Sequence, residues 1–268
     1  MRADHANPAW PTSRERDRVS DAIDLDHVAI ATTDIATMFG ALVGDLGGIV
    51  LHGGDGYGFR WVQTRVGDTA EGMTIESLVV WRPEDDDFLA RFVDRHGGGA
   101  HHVTFKVPDL PAMLDACRAA GVTPVGVRLD DPQWQEAFLM PRDAHGTVIQ
   151  LAQTTDPRPI ESVLPQVERD GPSGTPTWWP APPARGTDPA RLRHVVLGSP
   201  DRGATRAFFV GLLGGAATAE DADGTELTWP GGGRIRIEDA PRVGVVRFDA
   251  AGTVPRTVSV AGVPVVVA

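Results

Sequence analysis

Ala100-His101-His102-Val103-Thr104-Phe105-Lys106-Val107, running directly into Pro108-Asp109-Leu110, is the stretch whose reading decides the fold. It reads as a strand feeding a helix. The two-residue period puts His102, Thr104 and Lys106 on one face and His101, Val103, Phe105 and Val107 on the other. Leu25-Asp26-His27-Val28-Ala29-Ile30 repeats this opening earlier in the chain, and Leu192-Arg193-His194-Val195-Val196-Leu197 repeats it later. Three copies of one strand-plus-helix opening imply a repeated module.

Working outward, each opening begins a similar series. After His27, Ile35, Met38, Phe39, Leu42, Val43 and Leu46 recur at helical spacing until Gly47-Gly48, and strands are predicted at 49–52, 59–66 and 73–80. Residues 82–99 are a polar connector around a short helical piece at 88–93. After His102, Asp109 caps a helix with Pro111 in its first turn and Leu110, Met113, Leu114 and Cys117 as its apolar stripe. Strands follow at 123–128, 134–140 and 147–152. Both modules thus run strand, helix, three strands. His27 stands as far from Gly47 as His194 does from Gly214. The third copy carries Phe208, Phe209, Leu212 and Leu213 as its helical stripe and strands at 226–229 and 234–238, and beyond Val243 no room is left for a fourth helix. Residues 155–189, rich in proline, read as a linker that Trp178-Trp179 pins against a domain face.

Composition narrows the function. A formal charge of −11 with no basic stripe argues against phosphate-backbone binding. The single cysteine, Cys117, excludes an intramolecular disulfide and a cysteine metal cage, and fits a reducing cytoplasm. Residues 1–22 lack the apolar core of a signal peptide and read as a flexible tail, and no run approaches a membrane span. The expected partners are a small-molecule substrate and, at most, a second copy in a homodimer, with no nucleic acid and no membrane.

The repeat also places donors. Glu76 lies in the last strand of the first module and Gln150 in the last strand of the second, each about fifty residues after a histidine of its first strand. If the modules pair by a pseudo-twofold, His27, Glu76, His102 and Gln150 converge in one cleft. Two imidazoles, a carboxylate and an amide oxygen suit a six-coordinate divalent ion such as Fe, Mn, Co, Ni or Zn, with two positions left open. The competing reading makes each histidine a core residue bonded to backbone and Glu76 a solvated edge residue. The paired repeat positions favour the metal. Gln150 is the weakest of the four, because amides hold cations less avidly than carboxylates.

Asp26-His27-Val28-Ala29, the 101–109 stretch, Phe138-Leu139-Met140-Pro141 and Gly146-Thr147-Val148-Ile149-Gln150-Leu151 together resemble the vicinal oxygen chelate superfamily. That superfamily includes glyoxalase I, methylmalonyl-CoA epimerase, extradiol dioxygenases and bleomycin-resistance binding proteins, and residues 24–153 are most similar to its epimerase and glyoxalase-like branch. The resemblance implies an α+β fold of paired βαβββ modules in an open, cupped mixed sheet. It implies a glyoxalase-like domain at 23–154 and a degenerate, truncated copy at 190–268. It also implies His27, Glu76, His102 and Gln150 as metal ligands, with Glu76 and Gln150 as the catalytic pair. Gln150 stands where the epimerase and glyoxalases usually carry glutamate, and Glu76 where glutamine is expected in the epimerase, so carboxylate and amide have exchanged places. Gln150 takes no proton at neutral pH, which puts two-base proton transfer in question. Glu136 is a base candidate that sequence alone leaves unplaced.

Three functions compete. The leading one is a metal-dependent isomerase or lyase acting on a small carbonyl or acyl thioester substrate by proton transfer. The second is an Fe(II) dioxygenase, since His27, His102 and Glu76 make two histidines and a carboxylate. The third is a metal-free binding protein with Trp61, Trp81 and Trp134 lining an apolar cleft. The C-terminal copy is expected to hold no metal: His194 and Glu238 repeat half the site, Val245 stands where a second histidine belongs, and residues 260–268 offer no fourth donor. Its expected role is to cover the cleft or mediate association.

Overall fold

β1 (Asp24–Thr32) is dominated by apolar and β-branched residues, with Val28, Ala29, Ile30 and Ala31 fully buried on both faces. Such a strand needs neighbours on each side. It runs parallel to β4 (Gly72–Val80) and antiparallel to β5 (Gly99–Lys106). The fold, given by a computed structural model, covers residues 22–56, 58–85, 88–155, 158–174 and 178–268. Apart from Ala22, the segment read as a tail lies outside the described residues.

After β1, Asp34 caps α1 (Ile35–Phe39) by accepting from the amides of Ala36 and Thr37. The helix loosens into a π-helical turn over Gly40–Asp45. Gly47, at φ +67°, then turns the chain, and a Cβ there would lie 2.8 Å from Pro189. β2 (Ile49–Asp55) and β3 (Phe59–Gly67) meander back to β4. The second module repeats this with α3 (Leu110–Ala119), β6 (Val125–Arg128), β7 (Gln135–Leu139) and β8 (Val148–Gln153), after α2 (Phe88–His96) in the connector. The first sheet is β2-β3-β4-β1-β5-β8-β7-β6. Each module places its last strand parallel and next to its first, and the antiparallel β1–β5 pair joins the modules at the centre of an open, mixed sheet.

The second sheet follows the same plan. β9 (Arg191–Ser199), α5 (Arg202–Gly211), β10 (Ala216–Glu220), β11 (Gly224–Thr228) and β12 (Arg234–Asp239) form a third module, β10 being a strand that the sequence pattern misses. β13 (Gly244–Ala251), β14 (Arg256–Val260) and β15 (Val263–Val267) form a fourth without its helix, in the order β10-β11-β12-β9-β13-β15-β14. One continuous apolar core takes Val103, Phe105, Leu110 and Met113 from the first half and Leu192, Val195, Phe209 and Trp229 from the second. The rings of Phe105 and Trp229 lie 5.2 Å apart. Full burial of a phenylalanine contributes about 2–3 kcal/mol. The second half therefore packs on the Phe105 side of β5, away from His102 and Thr104. This corrects the expectation that it covers the cleft.

The proline-rich 155–189 stretch also differs from its reading as a linker. It carries α4 (Ile160–Asp170), which starts after Pro159 and tolerates Pro165 within it, and whose Leu164 and Val167 pack on Leu51. Trp179 is buried against Phe39, Val43, Val50 and Val62. His52 bridges to Ser173, so this segment shields the β2 edge. Among the described residues no helix is long and apolar enough to cross a membrane.

Candidate metal centre

Two bulges shape the centre of the first sheet. Between Leu25 and His27, β1 carries one residue more than β5, and between Ala29 and Ile30 the extra residue is on β5. Asp26 and His101 are the surplus residues. A bulge breaks strict alternation, so each can turn towards the histidine that follows it.

Asp26 Oδ2 lies 2.7 Å from His27 Nδ1, and Lys106 Nζ lies 2.7 Å from Asp26 Oδ1. Burial would raise the Asp26 carboxyl, but Lys106 and His27 outweigh it and hold it well below the usual carboxylate range. With Nδ1–H donating to Asp26, His27 turns Nε2 inward, 3.5 Å from Glu76 Oε2 and 3.0 Å from Thr104 Oγ1. Burial alone would lower the His27 pKa, yet Glu76 and Asp26 raise it to about 9.

His102 is buried, and its Nδ1 lies 2.8 Å from His101 Nδ1. Burial lowers His101 to about 4 and His102 well below the ordinary histidine value, so both rings are neutral near pH 7. Two neutral imidazoles make this bond in either of two senses. The sense in which His102 donates leaves its Nε2 with a free lone pair, and that atom is buried with no hydrogen-bond partner among the described residues. An orphaned acceptor of this kind is costly unless something fills it. His101 packs its ring on Phe88 and Phe92 of α2. It is thus the structural support of His102, although the bulge does not leave it cleanly on the opposite face.

His27, Glu76 and His102 each present one donor atom within 4.8 Å of the others. Gln150 is also buried. Its Oε1 accepts from Thr104 Oγ1 at 2.7 Å, and that hydroxyl is the one touching His27 Nε2. The chain thus gathers two imidazoles, a carboxylate and an amide oxygen. This donor set, with an unpartnered imidazole nitrogen in it, fits a divalent cation.

Two further residues join the site. Gln63, opposite Glu76 in the β3–β4 pair, donates from Nε2 to Glu76 Oε1 at 3.2 Å and accepts through Oε1 from His52 Nε2 at 3.0 Å. Gln63 carries no motif that marks it in the sequence, and alternation along β3 alone puts it on the face of Trp61. Glu136 accepts from Gln150 Nε2 at 2.8 Å and from Trp134 Nε1 at 3.1 Å. Of the tryptophans read as cleft lining, Trp61 meets His52 edge-on at 5.1 Å and Trp81 lies 3.6 Å under the Arg60 guanidinium.

In the second sheet the register reassigns the counterparts. Ala29 pairs with both Glu76 and His102, and the matching Val196 pairs with Arg236 and Arg247. Glu238 and Val245 are therefore not the equivalents of Glu76 and a second histidine. Arg236 and Arg247 are, and Val266 takes the place of Gln150.

Comparison with known proteins adds the following. Residues 26–159 match the family described as Glyoxalase/Bleomycin resistance protein/Dioxygenase superfamily. No curated protein matches the chain. The crystal structure of a hypothetical protein from Staphylococcus aureus is similar over 92% of this chain and 99% of its own, with a TM-score of 0.61 at 14% identity, a likeness of fold. Methylmalonyl-CoA epimerase from Mycobacterium tuberculosis is 27% identical over 52% of this chain and 95% of its own, with a TM-score of 0.44. A hypothetical protein from Bacillus halodurans is 25% identical over 51% and 97%, with a TM-score of 0.45.

Proposed function

The chain belongs to the glyoxalase, bleomycin resistance protein and dioxygenase superfamily, and from that premise we propose that it is a divalent-metal-dependent enzyme acting on a small carbonyl or acyl thioester substrate by proton transfer or isomerisation, in the manner of an epimerase or glyoxalase. The observation that carries the reading is the buried, partnerless Nε2 of His102 beside His27 and Glu76. His27 Nε2, Glu76, His102 Nε2 and Gln150 Oε1 would hold the ion, whose identity among Fe, Mn, Co, Ni and Zn the donor set leaves open. Bound there, a divalent ion supplies Lewis acidity to a substrate carbonyl oxygen, which makes the neighbouring carbon acidic.

The chain's own residues do the rest. Asp26, anchored by Lys106, fixes the ring of His27 and its tautomer, and His101 holds the ring of His102 in its orientation. Gln63 orients Glu76 through Oε1. Glu76 is the one carboxylate of the set, so it accepts the proton from the carbon next to the polarised oxygen and returns it. Gln150 binds and does not exchange protons. The test incubates metal-loaded protein with acyl-CoA thioesters and 2-oxo compounds in deuterium oxide. Metal-dependent deuterium uptake at the carbon next to the carbonyl, lost in Glu76→Gln, is expected. Protein that takes up no stoichiometric divalent ion after reconstitution removes the proposal.

A second reading rests on the same trio: His27, His102 and Glu76 are the two histidines and one carboxylate of non-haem Fe(II) oxygenases. Ferrous-dependent oxygen consumption with catechol-like substrates would select it over isomerisation.

A further inference from the structure

Gln150 poses a problem that a carboxylate ligand would not. Rotation of its amide by half a turn exchanges oxygen for NH2, and only the oxygen can face a cation. Glu136 stands on β7, which pairs with β8 so that Phe138 lies opposite Gln150 and Glu136 opposite Ala152. The two side chains are diagonal neighbours on one face, within reach of each other. Glu136 Oε2 accepts from Gln150 Nε2 at 2.8 Å and from Trp134 Nε1 at 3.1 Å, while Arg128 Nη1 donates to Oε1 at 3.3 Å. Three donors, two on Oε2 and one on Oε1, thus hold the carboxylate in place. With the amide reversed, Gln150 Oε1 would meet a carboxylate oxygen, acceptor against acceptor, in a partly buried site.

We infer that Glu136 is the positioning residue of the centre: its carboxylate pins the amide of Gln150 so that Oε1 faces the Thr104 hydroxyl, which in turn touches His27 Nε2, on the side where it can ligate the ion. This rests on the proposed metal centre and adds the residue that makes an amide usable at a position where a carboxylate would need no such help. It also returns a negative charge to that side of the site, one hydrogen bond behind the ligand.

The test titrates Co(II) into wild type, Glu136→Ala, Glu136→Gln, Gln150→Ala and the Glu136→Ala/Gln150→Ala pair, reading affinity by calorimetry and ligand geometry by visible absorption. Glu136→Ala is expected to weaken Co(II) binding by about 10–100-fold and to alter the spectrum, as loss of an outer hydrogen-bond partner does. Glu136→Gln, which keeps an acceptor, is expected to stay within a few-fold of wild type. With Gln150 already removed, Glu136→Ala should cost nothing more. A second readout uses wild-type protein: in the 15N-labelled, Zn(II)-loaded form, the Gln150 side-chain amide, assigned by its loss in Gln150→Ala, should be protected from solvent exchange. Equal Co(II) affinity in wild type and Glu136→Ala, equal losses with and without Gln150, or a rapidly exchanging Gln150 amide each overturn the inference while leaving the metal centre standing. Wild-type protein that takes up neither Co(II) nor any of Fe(II), Mn(II), Ni(II) and Zn(II) titrated in its place overturns both.

Discussion

At the centre of the first sheet, Ala29 has Glu76 on one side and His102 on the other. At the centre of the second, Val196 has Arg236 and Arg247. The bulges recur as well, with Arg193 as the surplus residue where the first sheet has Asp26. Gln63 becomes Glu226, Thr104 becomes Asp249 and Gln150 becomes Val266. The difference teaches how one scaffold serves two purposes. In the first cup, donor atoms of His27, Glu76 and His102 converge within 4.8 Å, and one of them, His102 Nε2, has no hydrogen-bond partner among the described residues. In the second, the cation belongs to the chain itself. Arg247 donates to Glu238 at 2.7 Å from two nitrogens and to Asp249 at 2.8 and 3.2 Å, and Arg236 donates to Asp221 and Glu238. Those bonds raise the Arg247 pKa and hold Glu238 below its usual value, so both guanidiniums are held by carboxylates of their own sheet.

The comparison can be broken most severely at His102. Replacing it with alanine removes a ligand outright, so the loss of metal affinity should exceed the roughly 10–100-fold that an outer partner costs. Metal retained at wild-type affinity in His102→Ala would place the ion elsewhere. Asp26→Asn, which leaves the His27 tautomer less firmly held, should weaken binding by about 10–100-fold in the same titration. In the second cup Arg247→Ala leaves Asp249 without its guanidinium and Glu238 with Arg236 alone, and a loss of about 2 kcal/mol in chemical denaturation is expected, because a hydrogen bond to a charged group is worth about 1.5–3 kcal/mol. Metal content should not move; a drop would mean the cups are coupled. The smallest expected effect is a gain. Arg236→Glu with Arg247→His restores donor types beside His194, Glu226 and Asp249, and a second, weaker equivalent of Co(II) should then appear, detectable by equilibrium dialysis against the wild type.

Much of this was legible in the sequence, for a physical reason. Strand alternation and a repeat of equal spacing are enough to put His27, His102, Glu76 and Gln150 on comparable strands, and helix caps such as Asp109 announce the elements between them. The bulges were not legible. They insert a residue without a compositional mark, which hides the turning of Asp26 and His101 and the placing of Arg247 opposite Val196, while Arg236 is identified only by the β9–β12 register. α4 was hidden by Pro159 and Pro165, which read as linker although one precedes the helix and the other is tolerated inside it. Glu136 could be named but not located, because its meaning depends on the β7–β8 register. The side on which the second half packs depends on Phe105 meeting Trp229, a contact between residues far apart in the chain.

The central claim is that the first cup is built around one divalent ion and the second around its own arginines. Metal analysis of purified protein, reconstituted in turn with Fe(II), Mn(II), Co(II), Ni(II) and Zn(II) and then desalted, tests it most directly. The account predicts one equivalent per chain with at least one of these ions, abolished by His102→Ala and untouched by Arg247→Ala. No retained ion in any reconstitution, or one that survives the loss of His102, would contradict it.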